Sequence, residues 1–234
     1  MPALVEKLFL INMINLLNVP QTIFVILVPT IVVVLVILFL FFLVRNKNQK
    51  SNHEMEYYKV IRSIADCEDY YLLNNFKFNV YGSKVATIDH LLVGEKYFYI
   101  ILSMYYDGNL SGAENDASLR LTTKETGTSY TDNPLFISKT LIQYLSSKTN
   151  VSSSFMIGIV LVNDSCQINL TSEKLPNGNT IPNDEKIYFL TNVSKLNNLI
   201  KNIESRPSKK LNANSLDSVI KGLDKLNRSK KKNG

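Results

Sequence analysis

The sequence predicts an α/β fold, a mixed β-sheet flanked by helices and preceded by one transmembrane helix. An uncharged apolar run occupies residues 23–44, from Ile23 to Val44. Two shorter apolar runs at 86–93 and 97–104 are typical of strands that are covered on both faces. Apolar residues at helical spacing come before, between and after the strand-like runs, and this order indicates a sheet packed between helices.

The run from Ile23 to Val44 is long enough to cross a membrane. Its 22 residues would measure about 33 Å as a helix, against a hydrocarbon core of roughly 30 Å. The alternative is a cleavable signal peptide. The run exceeds the apolar core of such a peptide, and no small-x-small cleavage site follows it, so we predict a retained anchor. Pro29 would kink this helix without preventing insertion.

Basic residues next to the span predict its orientation. The segment before the span offers one lysine beside one glutamate, whereas three basic residues follow it directly: Arg45, Lys47 and Lys50. Because positive flanks stay on the cytoplasmic side, we expect a single-pass protein of the cell membrane with a cytoplasmic domain. These three residues are also candidates for contact with lipid or nucleic-acid phosphates. The apolar segment 1–20 would either lie in the membrane interface or pack against the span.

Charge is distributed unevenly along the chain. Residues 51–204 hold 13 Lys and Arg against 17 Asp and Glu, whereas residues 205–234 hold nine against two. An acidic body does not favour a nucleic-acid-binding domain, which would usually carry its basic patch on the folded part. The basic tail, with Lys230, Lys231 and Lys232, would bind anionic lipid, at about 1 kcal/mol per charge, bind nucleic acid, or simply be solvated.

The pattern along the chain predicts the following organisation. The segments are an apolar N-terminal segment at 1–20, the transmembrane helix at 21–45, a polar linker at 46–53, the domain at 54–205, and a basic helix and tail at 206–234. Within the domain and tail, helices are predicted at 55–65, 133–145, 193–203 and 215–226, the last capped by Ser215. Strands are predicted at 76–80, 86–93, 97–104, 119–122, 155–162, 167–170 and 187–190, with the rest of 105–132 as a loop.

Cysteine and histidine do not indicate a metal centre. Cys67 and Cys166 lack the CxxC spacing of a zinc site, and we expect both to be reduced core residues. His53 lies in the linker and His90 within a predicted strand. Two isolated histidines do not make a zinc site.

One carboxylate, Asp89, stands in the first apolar run, which reads T-I-D-H-L-L-V at 87–93. Spaced glycines and an N-P helix start follow it: Gly94, Gly108, Gly112, Asn133 and Pro134. This ordered set resembles the nuclease-related domain (NERD), a branch of the PD-(D/E)xK or restriction-endonuclease-like fold, over about residues 54–205. In active members of that fold, the resemblance implies, an Asp and a Glu hold Mg²⁺ and a Lys positions the attacking water.

The chain departs from the family pattern at the catalytic positions. Aligned without gaps, the second acid falls on Leu102 and the lysine on Met104, while the acid before I-D-H falls on Thr87. Residues two apart on a strand face the same way, so two apolar side chains would stand where an acid and an amine are needed. Magnesium requires hard oxygen ligands. We therefore expect no metal and no cofactor.

Asp89 is the vestigial catalytic candidate, and Glu56 and His90 are weaker ones. Glu95 and Asp107 would be surface carboxylates. Three functions remain open at this point. The first is a catalytically inactive binding or scaffold module on the cytoplasmic face of the membrane. The second is a metal-dependent nuclease with relocated Mg²⁺ ligands around Asp89. The third is an adaptor for another membrane protein, without nucleic acid.

Overall fold

The computed structural model describes residues 21–80, 85–207 and 213–228, with side chains at 29–40, 53–80, 85–207 and 217–227. The chain divides into two compact units, Met1–Asn52 and His53–Gly234. The predicted N-terminal segment and the tail lysines Lys230, Lys231 and Lys232 lie outside the described residues. So do the side chains of Arg45, Lys47 and Lys50.

The first unit contributes one helical stretch, the beginning of α1 (Gln21–Glu68). Its side chains at 31–40 are large and apolar, and each is at least half exposed. Among the residues that the structure describes, no helix is long and apolar enough to cross a membrane. The predicted span from Ile23 to Val44 lies only partly within the residues whose side chains are described.

The second unit contains nine strands and three further helices in the described residues. The strands are β1 (Tyr71–Asn79), β2 (Val85–Val93), β3 (Phe98–Met104), β4 (Asn109–Ala113), β5 (Ser118–Thr123), β6 (Gly127–Asp132), β7 (Met156–Val162), β8 (Gln167–Thr171) and β9 (Tyr188–Asn192). The helices are α2 (Pro134–Thr149), α3 (Leu196–Glu204) and α4 (Ala213–Arg228).

The strands form two mixed sheets. The larger has the order β1-β2-β3-β7-β9, antiparallel through β3 and parallel from β3 to β9. The smaller has the order β6-β5-β4-β8. All seven residues of β7 are buried, because helices cover both faces of the larger sheet. This explains why β7, and β3 apart from Ser103, are apolar or aromatic instead of alternating.

Two cores lie on opposite faces of the larger sheet. On one face α2 and α4 contribute Leu141 and Leu223 to a cluster with Leu91 and Ile100. On the other face, the end of α1 and helix α3 contribute Ile61 and Ile200 to a second cluster. The spacing of Leu196, Ile200 and Ile203 gives α3 a single apolar stripe for this purpose.

Helix α2 begins where the sequence predicts it. The side chain of Asn133 accepts a hydrogen bond from the Leu135 N–H, and Pro134 occupies the first turn, where its missing N–H costs nothing. Asn133 also donates to the carbonyls of Glu114 and Asp116. This cap therefore joins α2 to the turn that follows β4.

Three sequence-based expectations are wrong. The strand predicted at 119–122 corresponds to β5, but the predicted loop around it contains β4 and β6, because these two short strands are mostly polar and carry little apolar alternation. Ser215 does not cap α4, which begins at Ala213. Cys67 is exposed on α1 and only Cys166 is buried. The fold class itself, a mixed α/β fold flanked by helices, is confirmed.

Candidate functional site

The ladder between β2 and β3 stops next to Asp89. Its last paired residues in this direction are His90 and Ile101. One residue further on, the Asp89 Oδ2 accepts a hydrogen bond from the Ser103 N–H at 2.8 Å. The carboxylate thus supplies the acceptor that a backbone carbonyl would supply in a continuing ladder. Asp89 is half-buried at this point.

The neighbouring strand is irregular at the same level. Asn75 of β1, which lies between the pairs Asn74–His90 and Phe76–Ile88, has a φ of +50°. On β2, Ile88 belongs to the same core as Leu91, three residues later, so the two-residue alternation breaks between Ile88 and His90. Asp89 therefore stands at a local distortion where both neighbouring ladders change.

Apolar side chains occupy the positions that the family pattern assigns to an acid and a lysine. Leu102 is only 3% exposed and belongs to the core beneath α2. Met104 is half-buried and packs against the same core and against a smaller third cluster, formed by Leu110, Leu119, Val162 and Cys166. The Ser103 Oγ between them is buried and has no hydrogen-bond partner among the described residues. The strand thus presents two apolar groups and one hydroxyl beside Asp89.

His90 is buried and neutral at pH 7. Its Nδ1 lies 2.7 Å from the Asn74 Oδ1, which requires the ring proton at Nδ1 if the amide oxygen faces the ring. Desolvation lowers the pKa of His90 to about 4. The ring of Tyr58 lies 6.4 Å away, centroid to centroid. The geometry describes an imidazole that is hydrogen-bonded to Asn74 and packed beneath α1.

The other candidate carboxylates lie at the surface. The side chain of Glu56 is 61% exposed, and its Oε2 lies 3.7 Å from the Nδ1 of His53 on the same helix. Asp107 and Glu95 are exposed in the turns that follow and precede β3. Across the residues whose side chains are described, no three His, Cys, Asp or Glu side chains come together as a metal-binding group.

These residues do not fit a magnesium ion of the kind the fold family uses. Mg²⁺ requires near-octahedral oxygen ligands. Asp89 offers a carboxylate that already accepts the Ser103 N–H. Leu102 offers no donor atom, and Met104 offers a soft thioether. No catalytic step through a metal follows from this geometry.

Sequence reasoning missed a polar cluster at the carboxyl ends of β7 and β9. The buried side-chain oxygen of Asn163 accepts a hydrogen bond from the Tyr106 N–H at 2.9 Å. The backbone carbonyl of Asn163 accepts one from the side-chain amide of Asn192. Asp164 accepts from both the N–H and the hydroxyl of Ser194. Polar residues placed directly after two parallel strands are the signal that would have found it. The cluster ties β7, β9 and the start of α3 together.

Comparison with protein families gives one match, and it includes the region around Asp89. Residues 49–163 match the family model of the nuclease-related domain. The match begins in α1 and ends just after β7, so it includes Asp89, Leu102 and Met104. Searches of curated proteins and of solved structures gave no match. The NERD match thus suggests a nuclease-related function.

The fold continues beyond the residues of the NERD match. Strand β9 pairs with β7 along five residues. Leu196 of α3 and Leu223 of α4 are each 0% exposed, in the two opposite cores. The OH of Tyr71, at the beginning of β1, donates to Asp224 Oδ1 of α4 at 3.1 Å. The larger sheet is therefore covered on both faces by elements that follow residue 163.

Proposed function

We propose that this chain is a member of the NERD family that no longer cleaves nucleic acid and instead serves as a binding module held at the cytoplasmic face of the membrane. The observation that carries the proposal is the bond between Asp89 and the Ser103 N–H, beside a strand that presents Leu102 and Met104. The carboxylate performs a backbone role where a cleaving enzyme would need it for a metal.

The substituted positions are integrated into the core, which argues against a site that merely lacks its metal. Leu102 packs with the residues beneath α2, so its side chain is directed away from solvent. The carbonyl of Met104 accepts from the OH of Tyr57, at 3.3 Å, which fixes the end of β3 against α1. Burial raises the pKa of Tyr57 well above its ordinary value, so this hydroxyl remains a donor.

A cleavage assay tests the proposal. The full chain, purified in detergent, is incubated with single- and double-stranded DNA and with RNA in Mg²⁺ or Mn²⁺. We expect no cleavage above that of a preparation carrying Asp89→Asn. The matched control is Asp107→Asn, which changes an exposed carboxylate near the end of β3. Metal-dependent cleavage that Asp89→Asn abolishes and Asp107→Asn preserves would instead establish a nuclease.

Membrane attachment rests on the apolar N-terminal helix. The side chains at 31–40 are all apolar and at least half exposed on α1, and burying such a surface in lipid is favourable. The basic residues that follow the span, Arg45, Lys47 and Lys50, favour a cytoplasmic domain. Resistance of the membrane-bound chain to alkaline carbonate is the expected result, and release into the supernatant would contradict the anchor.

The two cysteines provide a built-in reporter of orientation. Cys67 is exposed and Cys166 is buried, so a membrane-impermeant maleimide should modify Cys67 alone in the folded chain. For a cytoplasmic domain, labelling should require permeabilised cells and should disappear in Cys67→Ser. Labelling in intact cells would place the domain on the opposite side.

The basic tail is the proposed contact for a phosphate-bearing partner. A truncation that tests it must stop after Arg228, because Leu223 and Asp224 belong to the folded unit. Binding of the full chain and of the chain lacking 229–234 is compared on anionic vesicles, DNA and RNA over a range of salt concentrations. We expect the truncated chain to bind anionic vesicles more weakly than the full chain does. An unchanged affinity for all three would exclude the tail as the contact.

A further inference from the structure

The two sheets have four edge strands among the described residues, namely β1, β9, β6 and β8. Edge β1 carries Lys77 and the positive φ of Asn75, and α4 packs against its face. Edges β8 and β9 bring Leu170 and Leu190 into a shared cluster. The fourth edge is β6 of the smaller sheet. Five of its six residues are exposed.

Strand β6 lacks the lysine, the proline and the bulge that often prevent an edge from pairing. It reads Gly-Thr-Ser-Tyr-Thr-Asp at 127–132, without lysine or proline. Its pairing with β5 is regular along all six residues, from Ser118–Asp132 to Thr123–Gly127, so no bulge turns the described strand away. The side chain of Tyr130 at its centre is 76% exposed. Among the described residues, no strand pairs with the outer edge of β6, so this edge can accept a further strand.

We propose that β6 pairs with β6 of a second copy of this chain, antiparallel, around a two-fold axis at Tyr130. In this register Tyr130 lies opposite its counterpart, Ser129 opposite Thr131, and Thr128 opposite Asp132. The aromatic pair and the two polar pairs are favourable cross-strand neighbours. The only charge on the strand, Asp132, faces a threonine, so no like charges are opposed although the body of the domain is acidic.

The expected dimer is weak. Pairing joins the two four-stranded sheets into one eight-stranded sheet, as strand addition does in other complexes. A single pair of six-residue strands buries less than the roughly 1,200–2,000 Å² of a standard interface. Dissociation constants in the micromolar range or weaker are therefore expected. Confinement of both copies to one membrane would raise their effective concentration.

Cysteine cross-linking tests both the edge and the register. In the full chain with Cys67→Ser, a residue on the two-fold axis pairs with itself at a Cα separation of about 4.5–5.5 Å, within the range of a disulfide. Mild oxidation should therefore cross-link Tyr130→Cys with itself. The matched control, Thr128→Cys, should not cross-link with itself. A mixture of Ser129→Cys and Thr131→Cys chains should form a mixed dimer.

Each contrary outcome overturns the proposal. Equal cross-linking at positions 128 and 130 would indicate random collision, and self-cross-linking of Ser129→Cys would indicate a different axis. A dimer in light scattering without the Tyr130→Cys cross-link would place the interface elsewhere, for example on the apolar N-terminal helix. Absence of both the Tyr130→Cys cross-link and the mixed Ser129→Cys and Thr131→Cys dimer in membranes, for variants whose urea unfolding matches that of the parent chain, would exclude the pairing altogether.

Discussion

Replacement of Asp89 distinguishes a backbone role from a functional one. Asp89→Ala removes the acceptor of the Ser103 N–H, a charge-assisted bond of 2.8 Å in a half-buried position. A lost bond of this kind costs about 1–3 kcal/mol, and partial access of water places the expectation at about 1–2 kcal/mol. With a denaturation slope of about 2 kcal/mol/M, the urea midpoint should fall by roughly 0.5–1 M.

Urea unfolding of the full chain in detergent, followed by circular dichroism, measures this change. Asp89→Asn retains a carbonyl oxygen that can accept from Ser103, so it should recover more than half of the loss. Asp107→Ala, at an exposed turn, should change the free energy of unfolding by less than about 0.5 kcal/mol. Carboxylates kept for function often reduce stability. An Asp89→Ala variant as stable as the parent chain, or more stable, would therefore refute the backbone role.

Three further predictions concern the same sheet and its cores. The pKa of His90 is lowered to about 4 in the folded state, from an unfolded value near 6.5. As the pH falls, the unfolded state therefore takes up the proton first. The free energy of unfolding present above about pH 6.5 should fall by up to about 3 kcal/mol as the pH drops toward 4. Urea midpoints between pH 7 and 4.5 should show this loss, and His90→Asn should flatten it. Leu102→Glu should lower the thermal midpoint sharply without restoring cleavage, because it buries a charge without a partner; cleavage in Mg²⁺ would contradict the degenerate site. Leu223→Ala should cost about 2–4 kcal/mol by calorimetry if α4 completes the core, and an unchanged midpoint would show that α4 is dispensable.

The sequence predicts best those elements whose pattern has a single physical cause. Burial on both faces makes β7, and β3 apart from Ser103, a continuous apolar or aromatic run, and this pattern identifies both strands. The cap of Asn133 and the following Pro134 locate the start of α2 to the residue. The stripe of Leu196, Ile200 and Ile203 predicts α3, which is preceded by a 3₁₀ helix at Val193–Lys195.

The predicted strands at 119–122 and 167–170 correspond to β5 and β8 of the smaller sheet, but β4 and β6 were missed because few of their residues are buried. In β5 only Leu119 is buried, and in β6 no residue is. Gly108 and Gly112 read as loop residues, yet both lie in or beside β4. A Cβ on Gly108 would lie 2.3 Å from the carbonyl oxygen of Thr122 on β5. That glycine permits close packing between strands, a function that local sequence does not distinguish from a turn.

For the candidate site, the sequence identifies Leu102 and Met104 as the departures from the family pattern but does not indicate what Asp89 bonds to. The alignment placed Leu102 and Met104 at the family's acid and lysine positions, and both lie in or against the cores. The partner of Asp89 depends on where the β2–β3 ladder ends and on the irregularity at Asn75. Both are properties of strand register, which no residue pattern near Asp89 specifies.

The position of β7 has a consequence for how the domain folds. This strand pairs in parallel with β3 and with β9. Ile100 pairs with Gly158 across 58 residues of chain, and Gly158 also pairs with Tyr188. Contacts between such distant residues are slow to form because each closes a long loop. Until they form, the mostly apolar strands β3 and β7 stay open to contact with other chains. A nascent copy of this domain therefore needs protection from its neighbours for longer than its size alone would require.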